Sequence, residues 1–210
     1  MKSKVRKVIK NIVYAPYIVL NRLQYAMKHV KVGKNHTTNG VLCIRVHKGG
    51  SVTMGNDVRI NSRAKANPIG AGDRTYFQVL RDAKLVIGDN VGLSNCAITT
   101  AKQVIIGNHV RIGAGVKIYD TDFHALDPMQ RTANPEQGTA VSKEITILDY
   151  AFIGAGAFIL KGVTVGEKAI VGAGSVVTKT IPAGEIWAGN PAKKIGEVVE
   201  SINNRDKNES

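Results

Sequence analysis

From residue 147 to residue 177 an aliphatic side chain returns at every sixth position: Ile147, Ile153, Ile159, Val165, Val171 and Val177. Glycine follows Ile153, Val165 and Val171, and the fourth residue after each of the first five is small: Ala151, Ala157, Val163, Ala169 and Ser175. The same pairing occurs upstream in Ile87 with Val91, Leu93 with Ala97, Ile106 with Val110 and Ile112 with Val116, and more weakly in Met54 with Val58 and Ile60 with Ala64. A period of six fits neither an amphipathic helix nor an alternating strand. It predicts short flat strands joined by corners, with one aliphatic side chain per strand pointing inward and a small residue relaxing each turn. Three such faces close a coil of about 18 residues, and stacked coils turn the inward positions into continuous ladders. A narrow prism has little room for rings, in keeping with 5% aromatic residues and 22 glycines.

The lattice breaks twice, near residues 66 to 80 and 124 to 146. At the second break the spacing of Ile106, Ile112 and Ile118 calls for an aliphatic at 124, where His124 stands instead, and the phase resumes at Ile147. A loop over 119–146 must therefore leave the prism, and long loops on rigid scaffolds are where function concentrates. The N-terminal residues 1–36 read differently. Val5, Val8, Ile9, Ile12 and Val13 recur at helical spacing with Arg6, Lys7 and Lys10 on the other side, Pro16 should break or kink that helix, and a second helical segment should run from Tyr17 to about Val30.

Charge sharpens this division. The net charge is +13, yet the first acidic residue is Asp57, and eleven Lys and Arg precede it. A basic amphipathic helix can lie on an anionic leaflet, or it can pack on its own protein or on a second copy. Nucleic acid is not expected, because no interleaved aromatics accompany the charge. No apolar run approaches a membrane span. The run Ile12 to Leu20 lacks a small-residue cleavage site after it, so the N-terminus is expected to be retained. The expected location is cytoplasmic, either free or peripheral at the inner membrane face. Cys43 and Cys96 suggest neither a disulfide framework nor a zinc site.

The repeats, followed by Ile181-Pro182-Ala183-Gly184 and Ala188-Gly189-Asn190-Pro191-Ala192-Lys193, resemble the hexapeptide family of acetyltransferases. That resemblance implies a mainly β chain: a left-handed parallel β-helix over 37–191, after the helical arm of 1–36, with a short C-terminal helix and polar tail over 192–210. It also implies a homotrimer, with acetyl-CoA held in a groove between neighbouring prisms.

A histidine near carboxylates suits acyl transfer to a hydroxyl, because imidazole can take the proton of a poor nucleophile as it attacks a thioester. The segment Asp120-Thr121-Asp122-Phe123-His124 matches the Asp-x-Asp-x-His loop of sugar O-acetyltransferases in the family. The resemblance thus casts His124 as general base, with Asp122, Asp120 or a backbone carbonyl orienting it. It assigns Ala155 and Ala173 backbone contacts to the pantetheine arm, and Thr178, Lys179 and Lys193 contacts to the coenzyme A phosphates. Asn95 matches a position that contacts the acceptor, Arg131 lies in the loop, and Phe152 takes the place of a tryptophan common in similar enzymes. No metal is expected, since zinc hydration chemistry needs three converging imidazoles. The expected activity is acetyl-CoA-dependent O-acetylation of a cell-surface or capsular polysaccharide or its precursor. Alternatives are acetyl transfer to a small molecule (an antibiotic, serine or an amino sugar) and a non-catalytic scaffold.

Overall fold

A computed structural model describes residues 2–64, 74–133 and 140–199. Within them the six-residue period becomes three sheets of short strands. The first sheet stacks β1 (Lys31–Val32), β4 (Ser51–Met54), β7 (Lys84–Ile87), β10 (Gln103–Ile106), β13 (Ile145–Ile147) and β16 (Thr164–Val165), all parallel. The second stacks β2 (Thr37–Gly40), β5 (Arg59–Ser62), β8 (Gly92–Ser94), β11 (Arg111–Ile112), β14 (Phe152–Ile153), β17 (Ile170–Val171), β19 (Glu185–Gly189) and β20 (Ala192–Glu197). The third runs from β3 (Cys43–Val46) through β6 (Tyr76–Val79), β9 (Ala97–Thr100), β12 (Lys117–Tyr119) and β15 (Phe158–Leu160) to β18 (Val176–Val177). The chain visits the faces in turn, so each sheet is one wall of a triangular prism.

Its interior is the predicted ladder. Ile147, Ile153, Ile159, Val165, Val171 and Val177 are fully buried, and Ile44, Phe77, Ile98, Ile118, Ile159 and Val177 line the third wall in register. A second device holds the corner between the first and second sheets. Asp149 Oδ1 accepts from the Asn108 amide (2.8 Å), Asn108 Oδ1 from the Asp89 amide (2.8 Å), Asp89 Oδ1 from the Asn56 amide (2.7 Å), and Asn56 Oδ1 from the Lys34 amide (2.9 Å). Each coil thus caps an amide of the coil beneath, and these bonds hold the Asp149 carboxyl below its usual range. Gly107 precedes one rung because a Cβ there would lie 2.3 Å from Asp149 Oδ1.

Three expectations need correction. Helix α1 runs unbroken over Lys2–Met27 with Pro16 inside it. The first coil begins at Lys31 rather than at 37. Ala192–Glu197 is a strand, not a helix: after a two-residue turn at Asn190-Pro191, β20 returns antiparallel on β19 and supplies partners to a sheet edge that a helix would leave open. Lys194 fastens the hairpin to Glu185 (2.9 Å) and Glu197 (2.7 Å). The break expected at 66–80 ends before β6, and its centre, like the tail beyond residue 199, lies outside the described residues.

The helix docks through its C-terminal half. Asn21 Nδ2 donates to Gly40 O (2.8 Å) while its Oδ1 accepts from the Leu42 amide (3.0 Å), and the Tyr25 hydroxyl meets His36 Nε2 and Thr38 Oγ1, each at 3.0 Å. A cavity of about 460 Å³ lies at this seam, lined by Ile18, Arg22, His36, Arg59 and Ile60 among others. It belongs to the helix and the second sheet, and holds none of the residues the sequence singled out for chemistry.

Candidate active site

The loop leaves the prism after β12 and re-enters at β13, at the corner between the third and first sheets. Its base is pinched shut. Thr121 bridges Ser142, the Lys143 amide donates to Asp120 O (2.9 Å), and the Asp122 amide donates to Val141 O (3.1 Å). Because the exit and re-entry are pinned together, β13 resumes in register on β10, with Val104 opposite Ile145.

Asp120 is the seal of this exit. Its carboxylate is completely buried, and accepts from Thr100 Oγ1 (2.7 Å) and from the amides of Ala101 (2.6 Å), Lys102 (2.9 Å) and Gln103 (2.9 Å). Four donors occupy its oxygens, so it holds the neighbouring coil's turn rather than the imidazole. Asp122 stands differently. Lys161 Nζ meets its Oδ1 at 2.5 Å, while its Oδ2 is buried and accepts no hydrogen bond among the described residues. Lys161 went unnoticed in the sequence, although it follows β15, which pairs with β12 one coil away.

Between Asp122 and His124 the chain makes a three-residue turn: the His124 amide donates to Asp122 O (2.7 Å) around Phe123, whose φ is +63°. Such turns are uncommon and strained for a residue with a side chain. The Phe123 ring is braced edge-on against Tyr119 at 5.2 Å, and its amide donates to Thr121 Oγ1 (3.2 Å). The consequence is an outward-facing His124, exposed and without a side-chain hydrogen bond among the described residues. Beyond it Asp127 caps α2 (Pro128–Ala133), with Oδ1 accepting from the Gln130 amide (2.8 Å) and proline at the first helical position. Arg131 folds back onto the carbonyls of Ala125 (3.3 Å) and Leu126 (3.4 Å), so its guanidinium braces the loop.

The other candidates are spread around the prism. Phe152 projects from the second sheet, the wall opposite the loop's corner, and is 46% exposed. Asn95 is buried in a left-handed turn (φ +42°) between the second and third sheets, its Nδ2 directed to Arg63 O (3.4 Å). Ala155 and Ala173 stack at that same corner. The Ala155 carbonyl is taken by the Gly174 amide (2.8 Å), whereas Ala173, at the last full coil, is exposed. Exposed Thr178 and Lys179 lie at the loop's own corner, one coil beyond Lys161, and exposed Lys193 lies on the terminal hairpin, whose Gly189 amide donates to Ser175 Oγ (3.1 Å). Lys179 and Lys193 thus bracket the third wall, whose outer surface near the loop carries Tyr119, Phe158 and Leu160, with Lys117 Nζ over the Phe158 ring at 4.7 Å. Among the described residues no three His, Cys, Asp or Glu side chains converge as a metal site would require.

Three walls of hexapeptide coils, with a histidine loop at one corner, form a left-handed parallel β-helix. The chain matches the bacterial transferase hexapeptide model (six repeats) over residues 144–179. It is 46% identical over 66 residues to nodulation protein L of Rhizobium leguminosarum bv. viciae, covering 31% of this chain and 32% of that protein. Over 95 residues it is 45% identical to a Dictyostelium discoideum protein whose name places it among the acetyltransferases, covering 45% of this chain and 47% of that one. The matches therefore span about a third and about half of these relatives. Among solved structures, a serine-to-alanine variant of AntD, an N-acyltransferase from Bacillus cereus in complex with dTDP-4-amino-4,6-dideoxyglucose and coenzyme A, superposes with a TM-score of 0.65 at 20% identity, over 85% of this chain and 89% of AntD. A hexapeptide transferase family protein from Anaplasma phagocytophilum gives a TM-score of 0.52 at 20% identity, over 81% and 86% of the two chains. At these identities the likeness is one of fold.

Proposed function

We propose that this protein is an acetyl-CoA-dependent O-acetyltransferase acting on a saccharide hydroxyl, with His124 as general base. The observation that carries the reading is the presentation of His124: a pinned, strained turn places at an open corner an imidazole that no other described side chain engages. The acceptor oxygen attacks the thioester carbonyl as His124 removes its proton, the C–S bond breaks, and the imidazolium returns the proton to the departing thiolate. Asp122, held by Lys161 and keeping one oxygen uncommitted, is the carboxylate suited to steady the imidazolium. The Asp120 carboxylate, whose oxygens accept four hydrogen bonds from the neighbouring coil, is less suited to that role.

The residues present suit coenzyme A: Ala173 offers a small exposed corner, and Lys179 and Lys193 offer phosphates two ammonium groups. Nevertheless, Phe152 stands on the wall opposite the His124 corner, so one chain cannot close both around one acceptor. We take the working unit to be a trimer in which a neighbouring prism supplies that wall.

The test is free-thiol release from acetyl-CoA over a panel of hydroxyl and amino sugars, with acetyl-CoA binding followed by calorimetry. His124→Ala should lower kcat by about 10²–10⁴-fold without weakening acetyl-CoA binding, and a Lys179→Glu, Lys193→Glu pair should bind the donor more weakly, most visibly at low salt. Full turnover by His124→Ala would remove the base from the mechanism. Turnover confined to amino sugars would make the enzyme an N-acetyltransferase, and folded protein that binds no acetyl-CoA would leave a scaffold.

A further inference from the structure

Over residues 15–27, helix α1 (Lys2–Met27) is docked on one side and apolar on the other. Asn21 and Tyr25, its anchors to the prism, are 2% and 8% exposed. At about 100° per residue, Val19, Leu20, Leu23 and Met27 fall on the opposite face, within about 100° of arc. They are 57%, 48%, 54% and 67% exposed. Four large apolar side chains along one exposed stripe are not the ordinary scatter of surface hydrophobics. In the sequence Val5, Ile9 and Ile12 continue that phase, while Lys4, Arg6, Lys7 and Lys10 fall outside it.

We infer that this stripe is a membrane-surface anchor that seats the protein on an anionic bilayer. Two features select lipid over a second copy of the chain. Charge is the first: the helix carries six Lys and Arg and no Asp or Glu, and the chain has no acidic residue before Asp57. Copies of so basic a helix repel one another, whereas each Lys or Arg near an anionic leaflet is drawn to it. Geometry is the second. Because the stripe points directly away from the docked seam, the helix can sink its apolar side into the headgroup boundary with the prism left in water. The helix lies on the membrane rather than crossing it, since no described helix is long and apolar enough to span. This inference does not depend on the transfer chemistry.

Flotation of the full-length chain with phosphatidylcholine vesicles containing about one-third phosphatidylglycerol tests it. Wild type should float with the anionic vesicles, remain largely unbound with pure phosphatidylcholine, and be released progressively by salt. Leu20→Asp together with Leu23→Asp should lower vesicle affinity by at least about tenfold, with sedimentation and thermal unfolding unchanged, because neither side chain enters the prism core. A Lys4→Gln, Lys7→Gln, Lys10→Gln variant, which leaves the stripe intact, should lose the preference for anionic vesicles. Failure of wild type to float, or equal flotation of the aspartate variant, would overturn the anchor. So would a wild-type oligomer that dissociates in the aspartate variant without any vesicle binding, which would assign the stripe to a second copy.

Discussion

Replacing Asp120 by asparagine separates what holds the loop from what works in it. The carboxylate is fully buried, and its Oδ2 alone takes the Thr100 hydroxyl and the Lys102 and Gln103 amides, while Oδ1 takes the Ala101 amide. An asparagine carbonyl can replace Oδ2, but its NH₂ then faces the Ala101 N–H and one buried donor is left without a partner, at about 1–3 kcal/mol. The three surviving bonds change from charge-assisted to neutral, at roughly 1 kcal/mol each. The sum is about 4–6 kcal/mol, a large fraction of what a domain has in reserve. Since stacked coils can open separately, urea unfolding should be paired with amide hydrogen exchange, which reads each coil. We expect Asp120→Asn to lower the urea midpoint and to speed exchange at Ala101, Lys102 and Gln103 before other coil amides. His124→Ala should do neither. A loss below about 1.5 kcal/mol, with those three amides still protected, would refute the assignment of Asp120 to the coil.

Two further predictions concern titration and the Asp122 pair. Burial holds the His36 imidazole down at about 4, from an ordinary 6.5. The unfolded chain therefore binds the extra proton first as pH falls, and stability should decline from about pH 6.5 to about pH 4, by at most about 3 kcal/mol. Urea midpoints across that range should show this slope in wild type and a flatter one in His36→Gln, and parallel curves would sink the idea. Lys161→Met should leave the Asp122 carboxylate charged and unpaired in a site where both partners are largely shielded, with side chains 28% and 22% exposed. It should cost about 2 kcal/mol and lower kcat while leaving acetyl-CoA affinity intact, with Lys161→Arg recovering part of the rate. An unchanged kcat would show that Asp122 does not act on His124.

The prism was legible because its signal is redundant. Each wall repeats the same inward aliphatic, so Ile147 through Val177 fix strand, corner and coil length together, and all six are buried where the period places them. The loop was legible by the opposite route, as a lapse of phase at His124. What escaped was information carried by one residue acting across space. Nothing local marks Lys161 as the partner of Asp122, 39 residues away, until the coils are stacked. Asp120 and Asp122 look equivalent in sequence, and only the direction each side chain takes divides them. Pro16 misled because a proline removes one amide but does not set where a helix ends. The terminal strand misled because a sheet edge in need of partners outweighs the local pattern of Ala192-Lys193-Lys194-Ile195.

The arrangement also explains how a long loop can leave this corner without loosening the prism. An insertion into a stacked ladder would ordinarily cost every bond above it, because the next strand would resume out of register. Here the Lys143 amide returns to the carbonyl of Asp120, Thr121 meets Ser142, and Ile145 resumes opposite Val104 as though the intervening residues were absent. The Asp120 carboxylate binds the exit point to the coil beneath, so the turn at Phe123 rises from a fixed base. Asp120 answers to the scaffold. Two aspartates and a histidine within five residues therefore stand in three different settings: Asp120 secures the lattice, Asp122 is held by Lys161, and His124 is left facing outward.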